Sequence, residues 1–183
     1  MTQVYANDYF DQNDNEPVRH AKRKALSDQR TADALKGSYA RTEGIPKTAP
    51  DGAPQVLKDY IDFYETPRGY HPRGYHPRGI GSNGGWLVQT FPSLQNDKIL
   101  DFVNEIRNPV LMVHGENAHS RYFAEQAFKK MTGTKPEPGK TTIVGNKELY
   151  IIPNAVHYDL YDDRAGVIPY DKLVAFFIKK NLK

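Results

Sequence analysis

The sequence lacks cysteine altogether, which excludes disulfide bonds and metal sites built from thiolates. It also lacks long apolar segments: residues 1–10 have no hydrophobic core of a secretory signal, and no run approaches the length of a membrane span. We therefore expect a cytoplasmic protein with no membrane partner. With 25 basic and 22 acidic residues, the formal net charge of +3 is too small an excess to indicate a nucleic-acid ligand by itself.

Apolar residues are few and unevenly distributed. They make up 38% of the 183 residues, and most of them follow position 56. This distribution predicts a compact C-terminal region that carries a looser N-terminal one. We expect three parts: a polar, partly helical segment at residues 1–54, a region with an internal repeat at 55–96, and an α/β subdomain at 97–183.

The spacing of apolar residues predicts several helices and strands. Helices are expected over Pro17–Leu35, Gln55–Glu65, Asp97–Ile106, Arg121–Met131 and Pro169–Leu182, the last burying Leu173, Val174, Phe176 and Phe177. Nearly continuous apolar runs predict buried strands at Val110–Val113 and Leu149–Ile152, with a short extended piece at Thr142–Val144.

Residues 97–183 thus alternate between helix and strand, the pattern of an α/β fold with a parallel sheet and right-handed crossover. Two parallel strands alone leave both edges of the sheet open and bury few side chains. We therefore expect the sheet to be completed elsewhere, by a homodimer or by a complementing chain that pairs with an open edge.

Polar and reactive side chains follow both predicted strands. His114 and Glu116 follow the first strand, and His157 and Asp159 follow the second. Because ligand sites in open α/β sheets gather at the carboxyl ends of strands, we expect these residues to form the functional site.

Three stretches of the sequence resemble the α/β-hydrolase superfamily. PVLMVHGEN resembles the penultimate strand and acid loop of that superfamily, IIPNAVH its last strand and catalytic histidine, and IPYDKLVAFFIKKNL its terminal helix. GENAHSRYFAE is similar to a dienelactone-hydrolase-like or acyl-peptidase-like branch. The resemblance spans about residues 56–183. It implies a partial α/β-hydrolase fold, namely the last parallel strands and helices of the sheet, with residues 1–96 as helical cap or lid elements.

By this resemblance His157 is the general base and acid of a catalytic triad. The alternative is a loop histidine that is merely hydrogen-bonded to its neighbours. The carboxylate that orients the histidine in the superfamily falls at Ala118 here, so we assign this role to Glu116, the nearest carboxylate. Asp159 and Asp162 are the remaining candidates.

The nucleophile of the superfamily has no counterpart in this sequence. The tight strand-to-helix turn that presents the serine needs the pattern Gly-x-Ser-x-Gly, which does not occur. We interpret Ser82 as part of a glycine-rich loop and Ser120 as a cap of the following helix. The expectation is a truncated hydrolase fold that lacks its nucleophile and is inactive as an isolated chain.

The pentapeptide PRGYH occurs twice in tandem from Pro67 and is followed by a further PRG. Arginine beside tyrosine can pair with phosphates and stack on bases, but we favour a duplicated loop over a nucleic-acid site. The predicted function is hydrolysis of a small-molecule ester, lactone or amide, with no cofactor and no metal. The alternative is a non-catalytic binding or scaffold module that uses the Arg/Tyr repeat or the open sheet edge.

Overall fold

A computed structural model describes residues 14–70, 85–96 and 99–180. The chain divides into two compact units, Met1–Lys98 and Ile99–Lys183. Within the described ranges, no helix combines the length and the apolar character that a membrane crossing requires.

The first unit is built around a long helix, α1 (Glu16–Lys36). Asn15 caps its start by accepting a hydrogen bond from the Val18 amide at 3.1 Å, and Gly37 ends it in the left-handed conformation with φ of 66°. The helix predicted from the spacing of apolar residues, most of them alanines, is therefore confirmed. The other regular elements among the described residues of this unit are α2 (Gln55–Tyr64), a 3-10 turn (Val88–Thr90) and α3 (Phe91–Asn96).

A buried carboxylate secures the end of α1. The side chain of Asp33 accepts hydrogen bonds from the Ala40 amide at 3.0 Å and from the Gln29 amide group at 2.7 Å. These bonds hold the segment after the helix, where Arg41 forms an antiparallel bridge with Leu87. A buried carboxylate in this position is stabilised because its charge is met by two donors.

The second unit contains the sheet. Its elements in chain order are a 3-10 turn (Val103–Glu105), β1 (Val110–Gly115), α4 (Arg121–Thr132), β2 (Thr142–Val144), β3 (Lys147–Ile152), a 3-10 turn (His157–Leu160) and α5 (Tyr170–Lys180). The predicted helices at Arg121–Met131 and near the C-terminus, and the extended piece at Thr142–Val144, are confirmed.

The helix predicted over Asp97–Ile106 is wrong for the part of it that is described. Residues 99–106 form turns and one 3-10 turn, and only Val103 is buried. Ile99, Phe102 and Ile106 remain exposed. Since a short helix is stable mainly when its apolar face is packed, the spacing alone did not suffice to form one.

The three strands form one mixed sheet in the order β1-β3-β2. β1 and β3 are parallel, with Val110 opposite Lys147 and Gly115 opposite Ile152, whereas β2 is antiparallel to β3. The prediction of an α/β fold with two neighbouring parallel strands is therefore confirmed. Among the described residues, the outer edges of β1 and β2 carry no further strand.

The core of this unit lies between α4 and the sheet. Phe128 of α4 and Leu149 and Ile151 of β3 are its buried centre, with Met112 and Val144 packed beside them. The last helix is less enclosed than the sequence suggested. Leu173 and Phe176 are partly buried as expected, but Val174 and Phe177 are exposed, because within the described chain nothing covers that face of α5.

Candidate functional site

The site lies where β1 and β3 end side by side. Gly115 and Ile152 are paired in register at these ends. The loops that follow are joined by backbone hydrogen bonds, from the Glu116 amide to the Ile152 carbonyl and from the Asn117 amide to the Ala155 carbonyl, both at 2.9 Å. The parallel register therefore brings the loop after β1 against the loop after β3, as the sequence predicted.

Ser120 and His157 meet at this junction. Ser120 directly precedes α4 and is only 8% exposed, and its Oγ lies 2.8 Å from Nδ1 of His157. The predicted capping role of Ser120 is wrong. Its backbone (φ −93°, ψ 4°) lacks the extended conformation of a capping residue, so its hydroxyl bonds to His157 and makes no capping bond.

The second nitrogen of His157 is also engaged. Its Nε2 lies 2.8 Å from the hydroxyl of Tyr161, one turn further along the chain. The buried ring of Tyr158 packs edge-on against the imidazole, with ring centroids 5.2 Å apart. The imidazole is thus held by hydroxyl groups at both nitrogens and by an aromatic ring on one side.

Two further histidines surround this pair. His114, at the end of β1, has its Nε2 3.4 Å from the Ser120 hydroxyl and its Nδ1 3.4 Å from the Gly115 carbonyl oxygen. The ring of His119 lies 5.0 Å from that of His157 between centroids. No group of three or more histidine and acidic side chains is arranged to hold a metal ion in the described part of the chain.

The surroundings favour the neutral forms of these histidines. The pKa of His157 is lowered to about 4, mainly by burial and in addition by the neighbouring His119 and His114. Burial is also the main cause that lowers the pKa of His114, although the bond to the Gly115 carbonyl opposes it. At pH 7 each of these two rings therefore has one N–H and one lone pair that can accept a proton.

The predicted acids lie close to this site but bind backbone amides. Glu116 accepts a hydrogen bond from the Asn154 amide at 3.0 Å, and Asp159 accepts one from the Val156 amide at 2.8 Å. The carboxylate of Asp162 accepts a bond from the Arg164 amide at 3.3 Å. Glu116 therefore shapes the loop that precedes His157, whereas the ring nitrogens of His157 bond to hydroxyls. The assignment of Glu116 as the orienting acid remains a prediction.

Sequence reasoning missed Ser120 and Tyr161 as partners of His157. Tyr161 could have been found from its spacing of four residues, which places it one turn away if the segment coils. Ser120 carried no such signal, since it is 37 residues from His157 and the two meet only through the sheet.

Two features of the sequence lie outside the described residues, namely Ser82 and the part of the PRGYH repeat that follows Tyr70. In the described part of the repeat, Arg68 forms an ion pair with Asp62 at 2.5 Å and stacks over the ring of Phe63. At least this arginine is engaged within its own segment.

Comparison with known proteins finds relatives that are considerably longer. The chain is 39% identical over 180 residues to the uncharacterized protein PA2218 of Pseudomonas aeruginosa, covering 97% of this chain and 43% of that protein. It is 24% identical over 159 residues to the uncharacterized protein YcjY of Escherichia coli, covering 87% of this chain and 46% of that protein. No protein-family profile matches the chain. The chain therefore spans about half the length of the curated relatives it matches.

A solved structure supports the architecture. The crystal structure of the hypothetical protein PA2218 superimposes on this chain with a TM-score of 0.78 at 37% sequence identity, covering 98% of this chain and 50% of that one. This similarity, together with the small mixed sheet, establishes a partial α/β fold.

Proposed function

We propose that this chain supplies His157 as the general base of a serine-type hydrolase that cleaves a small-molecule ester, lactone or amide. The observation that carries the proposal is the partly buried hydrogen bond of 2.8 Å between Ser120 and Nδ1 of His157, at the carboxyl ends of two parallel strands. It fixes the imidazole in one orientation, in the part of an α/β sheet where ligands bind. The low pKa of His157 leaves its ring neutral and able to accept a proton at pH 7.

The proposed reaction proceeds through two proton transfers at Nε2 of His157. Nε2 accepts the proton of a serine hydroxyl as its oxygen attacks the carbonyl carbon of the substrate. It then donates this proton to the leaving alcohol or amine, which departs and leaves an acyl-serine. Water completes the cycle by the same two transfers, and the acid and the free serine are released.

Tyr161 occupies the position that the nucleophile would need. Its hydroxyl bonds to Nε2 of His157, and its side chain is 46% exposed. An incoming serine hydroxyl would therefore replace the Tyr161 hydroxyl as the hydrogen-bond partner of Nε2 of His157. Because the tyrosine is so exposed, this exchange leaves no buried group unpaired.

The nucleophilic serine is proposed to come from outside these 183 residues. The sequence contains no Gly-x-Ser-x-Gly elbow, and the matched relatives are about twice as long. The remainder of the same protein, a second copy or a complementing chain could bring the serine by pairing with the open edge of β1. The reaction is expected to take place in the cytoplasm.

The test is reaction with a fluorophosphonate probe, which labels only serines activated by a base and an oxyanion hole. Two proteins are tested in parallel: the isolated 183-residue chain, and a chimera in which this chain replaces the matching region of PA2218. We expect the chimera to be labelled and the isolated chain not, with the label lost in His157→Ala and retained in His20→Ala, a change at an exposed histidine of α1.

Any of three results would contradict the proposal. A folded chimera that remains unlabelled, while PA2218 itself is labelled under the same conditions, would show that this chain supplies no working base. A label that persists in His157→Ala would show that another group activates the serine. Should PA2218 be unlabelled too, the serine-hydrolase assignment itself would be wrong.

The alternative function is a binding or scaffold module that carries out no chemistry. The exposed apolar residues of α5 and the open edges of the sheet favour it, since such surfaces commonly pack against a partner. The mass of the chain in solution, measured by light scattering, tests for such packing. A dimer or larger complex would support an interaction surface, whereas a monomer at all concentrations would count against one.

A further inference from the structure

We infer that a chain of hydrogen bonds beginning at the Gly115 carbonyl fixes the tautomer of His157, with the proton on Nδ1 and the lone pair on Nε2. The chain passes through His114 and Ser120, which act as positioning residues for His157. The significance of this tautomer rests on the proposed function, because only an unprotonated Nε2 can take the proton of a nucleophile that approaches from that side. The tautomer itself follows from geometry.

The first bond sets the direction of the whole chain. A carbonyl oxygen can only accept a hydrogen bond, so the contact of 3.4 Å between the Gly115 oxygen and Nδ1 of His114 requires the proton to be on that nitrogen. A neutral imidazole has a single N–H. The Nε2 of His114 is therefore an acceptor.

The second and third bonds follow from this. Nε2 of His114 lies 3.4 Å from the Ser120 hydroxyl, so the hydroxyl donates its only hydrogen there. The Ser120 oxygen then has only lone pairs left for His157, whose Nδ1 lies 2.8 Å away. Nδ1 of His157 must be the donor in this bond.

The last bond is consistent with this assignment. With its proton on Nδ1, His157 accepts at Nε2, and the Tyr161 hydroxyl 2.8 Å away is a suitable donor. The four bonds run in one direction, from Tyr161 through His157, Ser120 and His114 to the Gly115 oxygen. In this arrangement each of the four bonds has one donor and one acceptor, and each hydroxyl donates its hydrogen to a single partner.

This relay has the geometric effect that a carboxylate has in a triad but lacks its charge. Ala118 stands where the hydrolase pattern places the acid, and Glu116 is bound to the Asn154 amide. Ser120 holds the ring and selects the tautomer, yet a neutral oxygen stabilises an imidazolium less than a carboxylate does. The low pKa of His157 agrees with this, since no carboxylate of the described residues is among its causes.

The tautomer can be read directly by multiple-bond ¹⁵N–¹H NMR of the 183-residue chain at pH 7. The wild type is expected to show His157 with Nδ1 protonated. In His114→Phe the Ser120 hydroxyl loses its acceptor and becomes free to donate to Nδ1 of His157, so the population should shift towards the Nε2-protonated form. Glu116→Gln keeps an acceptor for the Asn154 amide and should leave the tautomer unchanged.

The wild-type spectrum alone can overturn the inference, so it does not depend on whether a variant folds. An Nε2-protonated His157 in the wild type, or an unchanged tautomer in folded His114→Phe, would refute the relay. A shift in Glu116→Gln would instead identify Glu116 as the residue that orients the ring. Labelling by fluorophosphonate is a separate readout. If NMR shows the expected tautomer but the chimera is not labelled, only the hydrolase proposal is refuted. If the chimera is labelled and loses the label in His157→Ala, but NMR shows the other tautomer, only the tautomer assignment is refuted.

Discussion

Gly115 approaches Ala155 so closely that a β-carbon at position 115 would lie 2.3 Å from the Ala155 carbonyl oxygen and 2.8 Å from its carbonyl carbon. Both are backbone atoms, which cannot swing aside as the end of a side chain can. The contact joins the end of β1 to the loop that leads from β3 to His157. Glycine is therefore required here by the space between the two loops.

Replacing Gly115 by alanine should destabilise the protein and displace the His157 loop. Overpacking of this kind costs about 1–3 kcal/mol, and a clash with backbone belongs at the upper end of that range. Urea unfolding of the second unit, together with the NMR signal of His157, would measure both effects. Gly145→Asn is the control, because a side chain there meets open space and asparagine tolerates its φ of 57°. Equal stability of the two variants would contradict the prediction.

His157 should remain neutral down to an unusually low pH. Its pKa of about 4 is below the ordinary value of 6.5 because burial penalises the charged ring and because His119 and His114 face it. An NMR titration of the imidazole carbon-bound protons should therefore have its midpoint near 4. A midpoint at or above 6.5 would show that the site is more hydrated than the structure indicates.

The same shift has a consequence for stability. The folded protein resists protonation of His157 and the unfolded chain does not, so this contribution is fully present above pH 6.5 and is lost as the pH falls towards about 4. Allowing for partial exposure, the loss is on the order of 2 kcal/mol. The free energy of unfolding of wild type and His157→Gln should therefore converge on acidification. A constant difference between pH 7 and pH 4 would refute this linkage.

Phe128 should contribute more to stability than any exposed aromatic residue. It is fully buried between α4 and the sheet, so Phe128→Ala leaves a cavity and should cost about 3–5 kcal/mol. Phe102→Ala makes the same chemical change at a side chain that is 73% exposed and should cost less than about 1 kcal/mol. Urea unfolding of both variants would decide this, and similar losses would mean that the core is placed incorrectly.

Removing the Tyr161 hydroxyl should uncover the lone pair of His157. Tyr161→Phe deletes the bond to Nε2, whose net value of about 1 kcal/mol corresponds to a roughly fivefold gain in the accessible form. Diethyl pyrocarbonate reacts with neutral imidazole nitrogens, and modification of His157 can be followed by peptide mass spectrometry. We expect faster modification in Tyr161→Phe than in the wild type. Tyr170→Phe, at an exposed tyrosine of α5, should react at the wild-type rate. A slower reaction in Tyr161→Phe would contradict the bond.

Much of the fold could be predicted from local patterns. The helix α1 follows from Asn15 at its start, Gly37 at its end and the apolar spacing between them, all of which act within a few residues. The strands β1 and β3 follow from apolar runs that suit a strand buried on both faces. The segment at 99–106 shows the limit of this reasoning, since its apolar spacing suits a helix but only Val103 of its described residues is buried.

The site could be predicted less completely. The sequence alone was sufficient to place His114, Glu116 and His157 at the ends of neighbouring parallel strands, because strand order and direction follow from the alternation of helices and strands. The sequence also determined the chemistry available there, namely imidazoles, hydroxyls and carboxylates. Which of these groups bond to one another was decided only by the tertiary structure.

Ser120 and Glu116 illustrate why this is so. Both stand in the loop after β1, and either could have been the partner of His157. The register of β1 against β3 and the backbone bonds between their loops turn Glu116 towards the Asn154 amide and Ser120 towards the imidazole. Local propensity determines elements and their order, whereas a hydrogen bond between residues 37 positions apart depends on distances of a few ångströms that only the packed chain defines.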